Sequence, residues 1–268
     1  MNEGIAAEKK GNSSSAERYL KEAIEIDPTH AKAHYTLGLV YQKQNKLVDA
    51  AKSFEDAVAN MGDAPNSNYI FKLGVVISAQ GDQPGALQAD KEAKYKEAIT
   101  KFQETLKLDP NHYQASFRMG VLHERLDQPV QADAAFRKAI ELNATFSPSF
   151  VSLGNMYIEY GHANVGQVVL ETGVKVNDKD AEMWNGLGRA QLALQKPKEA
   201  VESFKTAKAI DPDMPDVLFG LGMAYAELRQ RKEAIEALQG FMSKAGNEVP
   251  EHLKRAASST IARMQDVI

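Results

Sequence analysis

Residues 184–212, WNGLGRAQLALQKPKEAVESFKTAKAIDP, contain the pattern that decides the fold. Large apolar residues recur at steps of three or four on both sides of the turn at 195–197, which predicts two helices that each bury one face. Gly188 and Ala200 are small, as expected where the paired helices approach closely. Pro212 lacks a backbone donor and disfavours helix in the residue before it, so it separates this unit from the next.

A Leu-Gly pair in a helical setting recurs along the chain. From Gly120 onward the pair repeats at 34-residue intervals, three times in succession. A fixed period of this length indicates stacked helix-turn-helix units, and such stacks present an extended surface suited to binding. The pairs are Leu37-Gly38, Leu73-Gly74, Met119-Gly120, Leu153-Gly154, Leu187-Gly188 and Leu221-Gly222.

These units resemble the tetratricopeptide repeat, whose pattern is W-x2-L-G-x2-Y, then A-x3-F-x2-A and a Pro. The resemblance extends from residue 4 to about residue 246. One unit matches more loosely because Gly166 and Gly173 stand at the small Ala positions, and in the last unit Phe241 replaces the expected small residue. The resemblance implies an all-α fold, a right-handed α-solenoid superhelix of antiparallel helix pairs.

The repeat pattern divides the chain into eight segments. The first lacks the opening turn of its first helix, so we interpret it as a truncated repeat from a longer array. The last carries an apolar stripe at Leu253, Ala257, Ile261, Met264 and Ile268, which predicts a capping helix, with a membrane-binding amphipathic helix as the alternative. The predicted segments are 1–30 (truncated), 31–66, 67–112, 113–146, 147–180 (degenerate), 181–214, 215–248 and 249–268 (cap).

The third segment contains an insertion. Gly74 and Gly120 are 46 residues apart, which places 12 additional residues at about 82–93. The stretch 86–108 contains neither Gly nor Pro, so we predict a helix of about 34 Å whose first three turns project from the stack. Insertions in repeat proteins are often found on a binding face. The alternative is a passive insertion, because turns tolerate added length.

Composition excludes several classes of function. A net charge of −4 and a pI near 5.9 argue against a nucleic-acid or anionic-membrane surface. The chain has no Cys, which excludes disulfides, thiolate zinc sites and a catalytic thiol. No apolar run is long enough to span a membrane, so we predict no membrane insertion. We expect a cytoplasmic protein, or a periplasmic one if a signal peptide was removed.

The sequence offers no catalytic centre. His30 and His34 are four residues apart, but no third ligand is near, so we interpret them as surface imidazoles rather than metal ligands. Acidic residues at the unit boundaries, such as Asp180 and Asp211, are predicted to cap the following helix. No nucleophile elbow or phosphate-binding loop occurs. We therefore predict no catalytic residue, no metal and no cofactor, and a protein that is not an enzyme.

The resemblance implies a concave groove lined by the first helix of each unit. It further implies that the residue two positions before each Leu points into that groove, and that the same face continues one turn later. This wall would be apolar in its first half and polar further along, which suits an amphipathic helix or an extended segment with large side chains. The alternative is that the aromatic residues pack between neighbouring units. The predicted partner-binding residues are Tyr35, Leu39, Phe71, Val75, Phe117, Val121, Asn155, Asn185, Arg189, Phe219 and Met223.

Together these features predict a non-catalytic scaffold or adaptor. Its partner would be another protein, presented as a peptide, an amphipathic helix or a folded domain, and not a nucleic acid. One alternative is the recognition arm of a larger enzyme whose catalytic domain lies outside this chain. A second is a self-assembling scaffold, in which copies of the chain associate with one another.

Overall fold

The computed structural model describes residues 1–247 and 249–265, and within them the chain forms fifteen α-helices and no strand. The predicted all-α solenoid class is confirmed. Helices α1–α14 form seven pairs, each with an odd-numbered first helix and an even-numbered second helix. The helices are α1 (Asn2–Lys9), α2 (Ser13–Ile26), α3 (Ala31–Lys43), α4 (Leu47–Ala59), α5 (Ser67–Gly81), α6 (Gln88–Leu108), α7 (Tyr113–Arg125), α8 (Pro129–Leu142), α9 (Ser147–Glu159), α10 (Ala163–Val176), α11 (Ala181–Ala193), α12 (Pro197–Ile210), α13 (Pro215–Glu227), α14 (Arg231–Lys244) and α15 (Glu251–Gln265).

The chain divides into two compact units. The first extends from Met1 to Leu142 and contains α1–α8, and the second begins at Asn143 and contains α9–α15. Within each unit a pair packs on the next through the buried faces of both helices, as expected for stacked repeats.

Each first helix carries a glycine that lies against a large apolar residue of its second helix. A methyl group on Gly120 would lie 2.5 Å from Cδ1 of Phe136, and one on Gly188 would lie 2.7 Å from Cε1 of Phe204. Both rings are fully buried. A Cβ atom has no room at such distances, so only glycine lets the helix backbone meet the ring. The same contact joins Gly4 with Leu20, Gly38 with Phe54, Gly74 with Phe102, Gly154 with Leu170 and Gly222 with Leu238.

The turn inside a pair contains one residue in the left-handed region of backbone conformation. The φ angle is 58° at Gln195 and 59° at Arg229. The N–H of the following residue then donates to the carbonyl five positions earlier, at 2.9 Å in both turns, which closes the first helix. The corresponding residues in other pairs are Gly11, Asn45, Asp127 and Gly161.

The turn between pairs is built by a carboxylate or amide at the end of the second helix. Asp211 accepts the N–H of Asp213 at 3.0 Å, which is an Asx-turn within the boundary and not the predicted cap of the next helix. Asp180 does cap its helix, because it accepts the N–H of Met183 at 3.0 Å. Equivalent Asx-turns occur at Asp27, Asp109, Asn143 and Asn177.

Two departures from the repeat pattern are compensated by packing. Leu238 stands where most pairs have Phe, and the ring of Phe241 is fully buried one turn later, 5.2 Å from the ring of Phe219. In the degenerate pair, a methyl group on Gly166 would lie 2.8 Å from the carbonyl oxygen of Gly154. The two backbones of α9 and α10 therefore meet directly in place of an Ala contact.

The insertion lengthens α6 at its N-terminus. Helix α6 begins at Gln88 and its first buried residue is Tyr95, so two turns, not the predicted three, precede its packed part. The Tyr95 hydroxyl donates to Asp82 at 2.6 Å, and Arg125 of α7 donates to both oxygens of the same carboxylate. Burial raises the pKa of the Asp82 carboxyl, but these hydrogen bonds outweigh burial and hold the pKa below its ordinary value. This bridge fixes the base of the insertion.

Helix α15 packs on α13 and α14. Ala257 is fully buried, and Leu253 and Ile261 pack against the cluster that contains Phe241. Ile268, the last residue of the predicted stripe, lies outside the described residues. The apolar face of α15 is thus turned onto the final pair.

Replacing the repeat glycine should destabilise the chain. A methyl group on Gly222 would lie 2.5 Å from Cδ2 of Leu238, so we expect Gly222→Ala to lower the free energy of unfolding by about 2 kcal/mol. The matched control is Gly240→Ala in α14, where the nearest atom would be 3.5 Å away. Helix propensity should make that variant more stable by about 1 kcal/mol. Guanidinium unfolding measures the change in the free energy of unfolding for both variants. If both variants were stabilised, or both destabilised, the close contact at Gly222 would not be the cause.

Removing the carboxylate of Asp82 should release the insertion. In Asp82→Asn, Arg125 and Tyr95 lose their shared anionic acceptor, so amide hydrogen exchange over 83–94 should accelerate while 98–108 stays protected. Asp63→Asn, an equal charge change in the exposed loop between α4 and α5, serves as the control. Exchange over 83–94 that is the same in both variants would show that the bridge does not hold this segment.

Candidate functional site

The first unit carries a recurring apolar stripe on its first helices. Tyr35 and Leu39 on α3, Val75 on α5, and Phe117 and Val121 on α7 are all half-buried. Each lies two positions before or after the Leu or Met of its Leu-Gly or Met-Gly pair, so the residues of one helix share a face one turn apart. We call these five residues the first-helix stripe.

Tyr35 and Phe117 serve both the stripe and the core. The Tyr35 ring is 5.6 Å from the buried Phe54 ring, and the Phe117 ring is 5.8 Å from the buried Phe136 ring. Tyr35 also stacks on Tyr69 of α5 at 4.4 Å, which brings the surfaces of α3 and α5 together. One edge of each ring is thereby fixed by packing, while the side chain remains partly exposed.

Phe71, predicted to be a groove residue, is only 8% exposed. Its ring lies 5.6 Å from Phe102 and 4.5 Å from the imidazole of His112. Phe71 contacts both α6 and the start of α7. At this position the aromatic side chain therefore packs between neighbouring units, which was the alternative to a groove contact. Phe71 therefore supports the stripe from beneath and offers little surface of its own.

The interpretation of His30 and His34 as surface imidazoles is wrong for His34. Its side chain is buried, and Nε2 lies 2.8 Å from the carbonyl oxygen of Pro28. His30 is half-buried at the N-cap of α3. The His30 side chain makes no capping hydrogen bond, so it is His34 that ties the loop before α3 to the helix. The spacing of the two residues does not reveal the path of that loop.

His112 is a second buried imidazole with a structural role. It is the N-cap of α7, where Nδ1 accepts the N–H of Ala115 at 3.2 Å, and Nε2 lies 3.4 Å from Oδ1 of Asn68. Burial lowers the pKa of His112. The neutral ring is required here because Nδ1 acts as an acceptor.

In the second unit the predicted polar residues are partly brought together. Asn155 on α9 accepts a hydrogen bond from the guanidinium of Arg189 on α11 at 3.1 Å, and the same guanidinium is 4.0 Å from Glu159. Arg189 is exposed, whereas Asn185, one turn earlier, is 4% exposed and its Oδ1 accepts no hydrogen bond from the described residues. Asn155 and Arg189 form the accessible part of this patch.

The last two predicted residues lie on α13, near α15. Phe219 and Met223 are half-buried and one turn apart. The Phe219 ring packs on Phe241, and the Met223 sulfur lies 4.0 Å from the hydroxyl of Thr260 on α15. Helix α15 therefore reduces the surface that Phe219 and Met223 could offer to a partner.

The clefts between successive second helices were not predicted from the sequence. In the first unit a cleft of about 780 Å³ lies between α4 and α6, with Val48, 75% exposed, among its lining residues. In the second unit, cavities of about 630 and 590 Å³ lie between α12 and α14. The sequence signal for these clefts was a set of charged residues at helical spacing on the second helices. Such a pattern ordinarily marks a solvent-exposed helix face.

Within residues 1–247 and 249–265, no three His, Asp or Glu side chains are grouped so as to hold a metal ion. No helix in this part of the chain has the length and apolar character needed to cross a bilayer. The arrangement provides apolar surface, hydrogen-bonding amides and an exposed guanidinium.

Paired helices with a recurring glycine contact define an α-helical repeat protein. The family model of the tetratricopeptide repeat matches residues 1–68, 85–145 and 165–215, and a second model of the same repeat matches residues 191–254. The chain belongs to the tetratricopeptide repeat family.

Solved structures share this fold. A tetratricopeptide repeat protein from Parabacteroides merdae superposes with a TM-score of 0.66 at 16% identity, covering 99% of this chain and 97% of that one. PilF from Pseudomonas aeruginosa superposes with a TM-score of 0.61 at 19% identity, covering 80% and 91%. At these identities the likeness shows the fold alone.

Sequence relatives match only in part. The type IV pilus assembly protein PilF of Pseudomonas aeruginosa is 28% identical over 142 residues, which are 52% of this chain and 51% of PilF. Human protein O-mannosyl-transferase TMTC3 is 24% identical over 165 residues, 61% of this chain and 18% of that protein. The chain thus spans about half of one relative and less than a fifth of the other.

Acid should weaken the first unit through His112. In the unfolded chain its imidazole takes up a proton near the ordinary pKa of 6.5, whereas in the folded chain it does so only at lower pH. The free energy of unfolding should therefore fall as pH drops below about 6.5, by at most about 1.4 kcal/mol per pH unit from this group. His112→Asn retains a capping acceptor without titrating, so urea unfolding from pH 7.5 to 5 should show a shallower decline.

His162→Asn is the control for this measurement, because His162 also precedes a helix but is exposed and makes no side-chain cap. A decline of the same slope in the wild-type chain and in His112→Asn would exclude His112 as its source.

Proposed function

We propose that the chain is a protein-interaction scaffold whose first helices bind a segment of a partner protein. The observation that carries this proposal is the first-helix stripe, in which apolar side chains recur at equivalent positions of three helices and remain partly exposed. Burying such surface is favourable by about 25 cal/mol per Å². A partner that covers Leu39, Val75 and Val121 together would bury more apolar surface than one that covers a single residue. Its binding free energy would be more favourable for that reason.

The stripe favours a partner segment with large apolar side chains, presented as an amphipathic helix or an extended strand. Tyr35 and Phe117 are held by core rings, so little side-chain entropy is lost when a partner covers them. Phe71 contributes by fixing α5 against α6 and α7, not by touching the partner.

In the second unit we assign the polar contacts to Asn155 and Arg189. A partner carboxylate would accept from the exposed guanidinium in place of Asn155, because an ionised acceptor forms a stronger hydrogen bond than a neutral amide oxygen. Asn185 is buried one turn away and offers little surface to a partner, and Phe219 and Met223 contribute an apolar margin beside α15.

A second candidate function is suggested by one of the sequence relatives. Because this chain matches 18% of the length of an O-mannosyl-transferase, its repeats could act as the recognition arm of a larger enzyme. The full-length gene decides between the two functions. A transferase segment in the same reading frame would support the enzyme arm, and its absence would leave the scaffold.

Polar substitution of the stripe should abolish partner capture. We expect Val75→Asp combined with Val121→Asp to reduce capture of partner proteins from extracts of the source cells by more than about tenfold, because both positions would carry charge into an apolar contact. Quantitative mass spectrometry of proteins retained on the immobilised chain measures this. Circular dichroism and the melting temperature verify that the double variant stays folded, because Val75 also packs on the core.

Val130→Asp is the matched control, because Val130 lies on a second helix of the same unit and is 78% exposed. If the double variant retains the same proteins in the same amounts as this control, the first-helix stripe is not the binding surface. Phe71→Ala is unsuitable for this test, because its loss of core packing should itself cost about 3–5 kcal/mol of stability.

A further inference from the structure

Helix α13 has a second apolar side, distinct from the side that carries Phe219 and Met223. At 100° per residue, Leu221 and Tyr225 lie on the side of α13 opposite Phe219 and Met223. Leu221 and Tyr225 face the space between α12 and α14, where both line the cavity of about 630 Å³. This space is therefore a surface separate from the one proposed above.

The two cavities between α12 and α14 adjoin. They share Lys205, Tyr225 and Glu233 among their lining residues, and their floor includes Leu218, Leu221 and Leu228. We call this space the outer cleft. The outer cleft runs between the second helices α12 and α14, with α13 beneath it. A further helix placed in the cleft would pack on all three.

The walls of the outer cleft carry opposite net charge. On the α12 wall Lys198, Lys205 and Lys208 outnumber Glu202, and on the α14 wall Glu233 and Glu236 outnumber Lys244. Lys205 pairs with Glu202 of its own helix at 2.9 Å, and no ion pair between described residues joins the two walls. The carboxylates of Glu233 and Glu236 are one turn apart, as are the ammonium groups of Lys205 and Lys208. Lys208, Glu233 and Glu236 form no ion pair with another described residue, so their charges are available to a ligand that lies between the walls.

Gly240 on the floor of the outer cleft is not explained by packing within the chain. Every other glycine inside a described helix would bring a methyl group within 3.1 Å of a neighbouring atom, whereas at Gly240 the nearest atom would be 3.5 Å away. Alanine would therefore fit and would favour the helix. A glycine that leaves the backbone bare in a cleft permits close approach by another chain.

We propose that the outer cleft binds an amphipathic α-helix of a partner protein. The helix has an acidic edge that meets the α12 lysines, a basic edge that meets the α14 glutamates, and a small residue over Gly240. The opposite signs of the two walls select this charge arrangement, and the one-turn spacing of the charges on each wall matches the repeat of a helix. The site is a second docking surface of the scaffold and does not depend on the first-helix stripe.

The test uses synthetic helical peptides of about 16 residues, titrated against the full chain by fluorescence anisotropy. The mixed-edge peptide has Ala and Leu on one face, Glu on one edge and Lys on the other. The comparison peptide has Lys on both edges. We expect the mixed-edge peptide to bind with a Kd of about 100 µM or tighter, and at least about tenfold more tightly than the comparison peptide.

Two variants test the assignment of the walls and floor. In Lys205→Glu combined with Lys208→Glu both walls are acidic, so the preference should reverse in favour of the peptide with two basic edges. Gly240→Leu fills the floor and should weaken the mixed-edge peptide at least about tenfold while the melting temperature is unchanged or higher. Val75→Asp combined with Val121→Asp should leave the peptide affinity unchanged, which separates this site from the proposed function.

Four outcomes would overturn the proposal. The first is no saturable binding of the mixed-edge peptide up to about 1 mM, and the second is equal affinity for wild type and Gly240→Leu. The third is equal binding of a proline-containing peptide of the same composition, which would make the occupant an extended segment. The fourth is dimerisation of the wild-type chain in sedimentation that Gly240→Leu abolishes, which would make the occupant a second copy.

Discussion

The contact between a glycine of the first helix and a buried ring or Leu of the second is the constraint on which this structure depends. It sets the distance between the paired helices, and it recurs in all seven pairs. In six of them the two residues are 16 positions apart, so the intervening turn has one fixed length. The exception is the pair of Gly74 and Phe102, where the insertion lengthens the turn but the same contact forms.

This contact also determines which residues remain available for binding. The side chains two positions before and after the Leu lie at the margin of the helix pair's own core, where Tyr35 packs on Phe54 and Phe117 packs on Phe136. The rest of their burial depends on the neighbouring pair. Phe71 contacts the His112 ring of the next pair as well as Phe102 of its own and is buried, whereas Leu39, Val75 and Val121 remain partly exposed. The first-helix stripe is what remains after the pairs have packed.

Much of this fold could be predicted from the sequence because the repeat glycines, the apolar spacing and the boundary prolines are local signals. The insertion was also visible, although α6 begins two residues later than predicted because 86–87 remain outside the helix. Burial of His34, and the bridge from Asp82 to Arg125, could not be predicted. Both depend on residues from loops or helices that meet only after folding, 43 positions apart in the case of the bridge.

The candidate site was predicted less completely than the fold for a related reason. Periodicity identifies a face but not what lies opposite it, so it did not distinguish the buried Asn185 and Phe71 from their accessible neighbours. The outer cleft was missed because its charges resemble an ordinary solvated surface. Only the coordinates show that Gly240 has room for a side chain that the sequence does not supply.

The left-handed residues inside the pairs bear on how the array holds together. Gln195 and Arg229 have no intrinsic preference for that conformation, and each is disfavoured there by roughly 1 kcal/mol. An isolated helix pair has few contacts with which to offset this strain, whereas a pair flanked by neighbours has many. Stability in this molecule is therefore shared between adjacent repeats, and shortening the array should loosen the turns of the repeats that remain at its new end.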